Sequence, residues 1–241
     1  MRTEIDNHVM KIIIDHPETK NGLDWIGLNQ MADAYQRLIE DNSIRVGIVT
    51  AVGEYFYTGG RVNPNAPGEQ EKYAAAIGRA TKIIGEVQKP VIAVLNGHCL
   101  KAGMGVMAVS DIAIAKAGIR FGFPEVRMGG VPMMVLVDIV DMMPQKKAME
   151  GILTSWEFSA QEALSMGLIN CIKPENEIWE TVDKYVEAFT SRPREIIEMT
   201  KKAYIEAKKI QGREKRLDFA FDYLSNDILP TMAKVKQQYN V

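Results

Sequence analysis

A chain of 241 residues with 46% hydrophobic and 25% charged side chains is long enough to bury one large core, with or without an appended section. Its net charge of -2 gives no electrostatic footprint for nucleic acid or an anionic membrane, although a local basic patch remains open to a phosphate-bearing ligand. No signal peptide and no apolar run long enough to span a bilayer are seen, so a cytoplasmic protein is expected; Cys99 and Cys171 lack metal or redox spacing and read as buried thiols.

Residues 9–15 form the first predicted strand, ended where Pro17 pushes His16 out of the helical region. Asp24 is placed to cap a helix running to about Glu40, with Trp25, Leu28, Met31, Ala32, Tyr35 and Leu38 on one face. Residues 45–50 read as the next strand. Residues 51–70, rich in glycine, proline and asparagine, show no period and read as one long loop, of the kind that is usually functional or mobile. Helical spacing returns over 71–87, with Tyr73, Ile77, Ala80, Ile84 and Val87 on the apolar face.

Pro90 opens a continuous apolar run, 91–95, the pattern of a strand covered on both faces, and Asn96-Gly97 turns the chain out of it. Lys101-Ala102-Gly103-Met104-Gly105 carries little side-chain bulk, so backbone N–H groups there can approach a ligand oxygen and begin a helix through Ser110. A strand at 111–115 follows. Glu125 comes directly after Phe121-Gly122-Phe123-Pro124, which sets its carboxylate against aromatic and apolar walls. Desolvation in such a place raises a carboxylate towards the range of a proton shuttle. Asp138 and Asp141, three apart in a Met/Val-rich helix, read as its polar face. Short helices at 146–153 and 159–166, the second opened by a Ser159/Glu162 capping box, precede a last strand at 168–172. Amphipathic helices at 177–189, 193–209 and 213–229 complete the chain, and no internal repeat is visible.

Phe56-Tyr57-Thr58-Gly59-Gly60, the run from Asn96 to Asp111, Phe121 to Glu125 and the stretch 153–170 together resemble the crotonase (enoyl-CoA hydratase/isomerase) superfamily, over residues 9–204. The resemblance implies an α/β fold, a crotonase-like spiral of ββα units over residues 1–190 followed by a helical C-terminal oligomerisation section over 191–241, assembled as a trimer or a dimer of trimers. It implies an acyl-CoA or carrier-protein thioester as substrate, with coenzyme A part of that substrate and no separate cofactor or metal. Thr58 and Ala102 match the positions whose backbone N–H groups form the family's oxyanion hole, Glu125 matches the acid/base, and Tyr57, Arg61, Gly105, Met133 and Met134 fall around the acyl pocket.

Several of these positions depart from the family pattern. Arg61 stands where an aspartate is common, so it can hold a substrate carboxylate or phosphate or simply be solvated. Lys101 and Ala102 replace glycines, which leaves the main-chain donor in place and narrows the room for the acyl group. Gly105 stands where hydratases of the family carry a second glutamate, and Met133 and Met134 stand where relatives place an aspartate or glycines. Glu125 is then the one candidate acid/base, His98 being read as a structural histidine. One carboxylate fits double-bond isomerisation best. A single-glutamate hydratase or hydratase-lyase comes next, then a C–C hydrolase or decarboxylase. A non-catalytic RNA-binding or scaffold relative is disfavoured by the near-neutral charge and the intact FGFPE segment.

Overall fold

The chain opens with a hairpin. In the computed structural model, which describes residues 1–63 and 65–239, β1 (Arg2–Asp6) pairs antiparallel with β2 (Val9–Ile14). The two-residue turn between them holds Asn7 and His8 at φ 45° and 66°, the pair of positive values that a type I′ hairpin turn requires. The strand expected to be first is therefore second. β1 is exposed along its whole length, so no alternation marks it in the sequence. Asp24 caps α1 (Trp25–Glu40) by accepting a hydrogen bond from Gly27 N–H, and Leu28, Met31, Ala32, Tyr35 and Leu38 are buried as their spacing demands.

The next three passes of the chain follow one plan: a buried strand, a turn, a three-residue strand, then a helix. β3 (Val46–Ala51), β4 (Tyr55–Tyr57) and α2 (Glu69–Gly85) make the first pass, and β5 (Val91–Leu95), β6 (His98–Leu100) and α3 (Ala102–Val109) the second. The third is β7 (Ile112–Lys116), β8 (Arg120–Gly122), a 3-10 turn at Val126–Met128 and α4 (Met133–Ile139). After α5 (Gln145–Thr154) come β9 (Phe158–Ser159), α6 (Ala160–Ser165) and β10 (Cys171–Lys173). Among the described residues the long strands form a six-stranded sheet in the order β1-β2-β3-β5-β7-β10, and the short ones a second sheet in the order β4-β6-β8-β9. The result is the expected spiral of ββα units.

Residues 51–70 are thus not one loop, since they hold β4 and the start of α2. A three-residue strand is too short to show a period of two. The strand expected at 168–172 forms at Cys171–Lys173, because Leu168 and Ile169 pack into the core ahead of it. Cys99 is buried, whereas Cys171 is only half-buried.

β3, β5 and β7 are covered on both faces, as parallel strands require. Val49, Ala93 and Leu95 face the main core with α1, while Val46, Ile48, Ile92, Val94 and Ile114 pack on Ile178 and Val182 of α7 (Ile178–Thr190). α8 (Arg194–Lys209) is tied to the sheet by Lys201, whose ammonium reaches Asp111 at 2.7 Å. The same carboxylate accepts a hydrogen bond from Val91 N–H at 2.7 Å. α9 (Arg213–Tyr223) does not stop the helical path near residue 229 as expected: a π-helical turn, Leu224–Ile228, leads into α10 (Leu229–Tyr239). Pro230 lacks the N–H that the carbonyl of Asn226 would accept, and the wider turn absorbs that loss. Among the described residues no helix is long and apolar enough to cross a membrane.

Candidate active site

Asn21 is fully buried at φ 57°. Its amide donates to the carbonyls of Val52 and Tyr55 at 2.8 and 2.6 Å, and its Oδ1 accepts from His16 N–H at 2.8 Å. Two residues on, Leu23 N–H donates to the Gly59 carbonyl at 3.0 Å and Arg61 N–H to the Leu23 carbonyl at 2.7 Å. Asn21-Gly22-Leu23 therefore clamps the chain on both sides of Tyr57-Thr58. The Thr58 hydroxyl adds a bond to the Lys20 carbonyl at 2.9 Å.

Against this clamped segment stands the start of α3. Lys101 adopts φ 52° and ψ −127°, a conformation that favours glycine, and its N–H donates to the Gly122 carbonyl at 3.1 Å. Ala102 is the first helical residue, so its N–H has no acceptor within the helix. A β-carbon on Gly59 would lie 3.5 Å from the Ala102 nitrogen, and one on Gly103 only 2.3 Å from the Tyr57 carbonyl oxygen. The backbones of 57–59 and 101–103 are in direct contact. That contact brings Thr58 and Ala102 together.

β8 delivers the carboxylate. Phe123 and Pro124 are buried, and the Glu125 carbonyl is pinned by the N–H groups of Met128 and Gly130 at 2.9 and 2.8 Å. Glu125 Oε2 is buried and has no hydrogen-bond partner among the described residues. Burial raises the Glu125 pKa above the ordinary carboxylate range, against the pull of its own backbone N–H and of the Lys101 ammonium. An orphaned buried acceptor is costly, so its presence calls for a function.

An apolar cavity opens between α1, α2, α3 and α4, with Leu28, Tyr57, Ile77, Ala102, Gly105 and Met134 in its wall. Tyr57 is 1% exposed, and its hydroxyl too lacks a partner among the described residues. A β-carbon on Gly105 would fit, since the nearest atom to it is Val135 Cα at 3.8 Å. Met133, expected in the pocket, is 62% exposed and lies outside the lining. Arg61 is exposed, its side chain stacked over Gly22 rather than in the cavity. His98 is structural, its Nδ1 accepting from Arg120 N–H at 2.9 Å.

Asp138 corrects the sequence reading of α4. Expected on a polar face, it lines the cavity, while the apolar Met133, Val137 and Val140 are exposed. Its pKa is raised, chiefly by burial, with Lys208 opposing and Asp141 adding to the shift. A lone aspartate in the run MMVLVDIV was the available signal, but spacing alone does not say which side of the helix is covered.

Two sheets wound in ββα turns, with a buried glutamate turn beside a paired loop and helix start, place the molecule in the crotonase superfamily. Human enoyl Coenzyme A hydratase domain-containing protein 3 has the same fold, with a TM-score of 0.85 at 24% identity over 97% of each chain. An enoyl-CoA hydratase/isomerase family protein from Silicibacter pomeroyi gives a TM-score of 0.86 at 21% identity, over 94% of this chain and 99% of its own. The chain belongs to the enoyl-CoA hydratase/isomerase family, whose model matches residues 4–228. Among its relatives, the (E)-benzylidenesuccinyl-CoA hydratase of Thauera aromatica is 28% identical over 206 residues, 84% of this chain and 80% of the relative. The carnitinyl-CoA dehydratase of Proteus mirabilis is 29% identical over 178 residues, 72% of this chain and 67% of the relative.

Proposed function

We propose that the protein shifts a double bond within an acyl-CoA thioester, with Glu125 as the one proton carrier and the N–H groups of Thr58 and Ala102 as oxyanion donors. The observation that carries this reading is the buried, unpartnered Oε2 of Glu125, with only a glycine at 105 where a second carboxylate would stand. On a 3-enoyl thioester, Glu125 takes a proton from the α-carbon and the electron pair spreads onto the thioester oxygen as a dienolate. The proton then returns to the γ-carbon, giving the 2-enoyl thioester. Each backbone donor aimed at that oxygen contributes about 3 kcal/mol. Coenzyme A enters as part of the substrate, and a carrier-protein thioester presents the same reacting atoms.

Tyr57, Gly105 and Met134 shape the seat of the acyl group. The Arg61 guanidinium, unpaired among the described residues, is free to take a phosphate or carboxylate of the substrate. Val131, Met133, Val137, Val140, Leu153 and Trp156 are exposed within one stretch of chain. Exposed apolar side chains are what a subunit interface buries, which supports an oligomer, and the resemblance implies a trimer or a dimer of trimers. Hydration by Glu125 alone is the second reading, favoured by relatives named as a hydratase and a dehydratase.

A 3-enoyl-CoA in D₂O should be isomerised with exchange at the α-carbon, while crotonyl-CoA is hydrated slowly. Fast hydration without isomerisation overturns the proposal. Gly105→Glu places a second carboxylate where a β-carbon meets nothing closer than 3.8 Å, so hydration should rise about tenfold or more relative to isomerisation. The product ratio from one reaction mixture reads this directly, and an unchanged ratio in a folded variant removes Gly105 from the choice of reaction.

Lys101→Met keeps a β-carbon at φ 52° and removes the charge that holds the Glu125 pKa down. Glu125 must be ionised to take the first proton, so the acidic limb of the kcat/KM profile should move to higher pH. A limb that stays in place would separate Lys101 from the proton carrier.

A further inference from the structure

We infer that the cavity takes an acyl chain carrying a hydrogen-bond donor, a hydroxyl or an ammonium group, away from the thioester, and that Asp138 receives it. The inference builds on the thioester reading above and adds to it the class of acyl group.

Leu28, Met31, Ile77, Ile84, Val109 and Met134 give the cavity a hydrocarbon wall, and Asp138 is the one ionisable carboxylate in that wall. Among the described residues it makes no hydrogen bond and no ion pair. The neighbouring cation goes elsewhere, since Lys208 pairs at 3.6 Å with Asp141, three residues further along. α4 packs Val135 and Ile139 into the core, leaves Met133 and Val137 exposed, and sets its one carboxylate against an apolar space. A plain alkyl chain in that space would strip water from a half-buried carboxylate and leave it unpaired, which is unfavourable for such a group. A donor on the chain would pair it.

Asp138 is not arranged to share the proton chemistry. Glu125 does not line this cavity, whereas Tyr57 and Ala102, at the proposed thioester seat, do. The cavity thus connects the oxyanion segment with Asp138 and leaves the acid/base outside. That is the layout of a tail-reading group rather than of a second catalytic acid.

Calorimetric titration with saturated CoA thioesters, matched in length and ending in methyl, hydroxyl or ammonium, tests this without any turnover. The hydroxyl or ammonium chain should bind about tenfold to a hundredfold more tightly than the methyl chain, the range for a hydrogen bond to a charged group. Asp138→Leu should abolish or reverse that preference. Asp138→Asn should retain the hydroxyl preference and lose the ammonium one, which tells the two donors apart. Equal binding of all three chains by the unmodified protein overturns the inference and leaves the thioester reading standing. Binding of none overturns both. If Asp138→Asn instead stops turnover of every chain as completely as loss of Glu125 does, Asp138 is a proton carrier and the tail-reading role is wrong.

Discussion

Glu125→Gln should lower turnover by about 10²–10⁴, the usual worth of a positioned acid/base, while acyl-CoA binding is retained. The amide keeps the shape of the carboxylate and cannot take the α-proton. The same substitution should make the protein more stable at neutral pH. Burial holds the Glu125 pKa above its ordinary value, so the ionised side chain disfavours the folded state. Its favourable contribution is complete below the unfolded pKa of about 4.3 and is lost as pH rises through the folded value. Glutamine never ionises, so the variant's advantage should appear at pH 7 and vanish near pH 4. Urea midpoints at the two pH values, beside steady-state rates, check both halves. A loss of rate below about tenfold would remove Glu125 as the proton carrier. A variant less stable than the parent at pH 7 would show that Oε2 is better satisfied in solution than its geometry implies.

Costly local features recur around Glu125. Lys101 occupies a glycine conformation, and Oε2 of Glu125 and the Tyr57 hydroxyl are both buried without partners among the described residues. Strained backbone and orphaned polar atoms persist where the surroundings over-determine them. Here the surroundings are the Asn21 bonds, the Leu23–Gly59 and Arg61–Leu23 bonds and the Lys101–Gly122 bond, all holding the two segments from outside.

What the sequence made legible follows from length and burial. Strands 91–95 and 111–115 and the helix after Asp24 could be read because a strand covered on both faces is continuously apolar and a long helix repeats its apolar stripe several times. β4, β6 and β8 have three residues each, so no periodicity can develop, yet they carry Tyr57 and lead into Ala102 and Glu125. Residue type alone pointed to 101–105 and to Glu125, and only the family resemblance reached Tyr57 and Thr58 and paired the donors. The work of Asn21, two hydrogen bonds to carbonyls more than thirty residues away and one from the nearby His16 N–H, needs the fold. Asp138 was misplaced because periodicity reports which residues share a face and not what covers that face. α4 is apolar on two sides, with Val135 and Ile139 in the core and Met133, Val137 and Val140 exposed, so pattern alone cannot place its aspartate.

Gly103→Ala should cost about a hundredfold in turnover, although the added carbon meets neither Glu125 nor Asp138. The added β-carbon would lie 2.3 Å from the Tyr57 carbonyl oxygen, a backbone atom that cannot rotate away as a side chain would. The overlap is relieved only if the start of α3 retreats from residues 57–59, and that retreat carries Ala102 N–H away from Thr58. A displacement of about 1 Å at a reacting centre is worth about 10² in rate, similar to losing one oxyanion donor. Overpacking should also lower stability by about 1–3 kcal/mol. Gly78→Ala separates the two effects, because Gly78 lies within α2 with nothing within 4 Å of the added carbon. That change should stabilise by about 0.5–1 kcal/mol and leave the rate as it was. Rates measured well below each variant's melting transition, with circular dichroism to confirm folding, provide the comparison. If Gly103→Ala is folded and turns substrate over at the parental rate, the contact between the two segments does not set the oxyanion geometry, and the donors must be sought at other backbone positions.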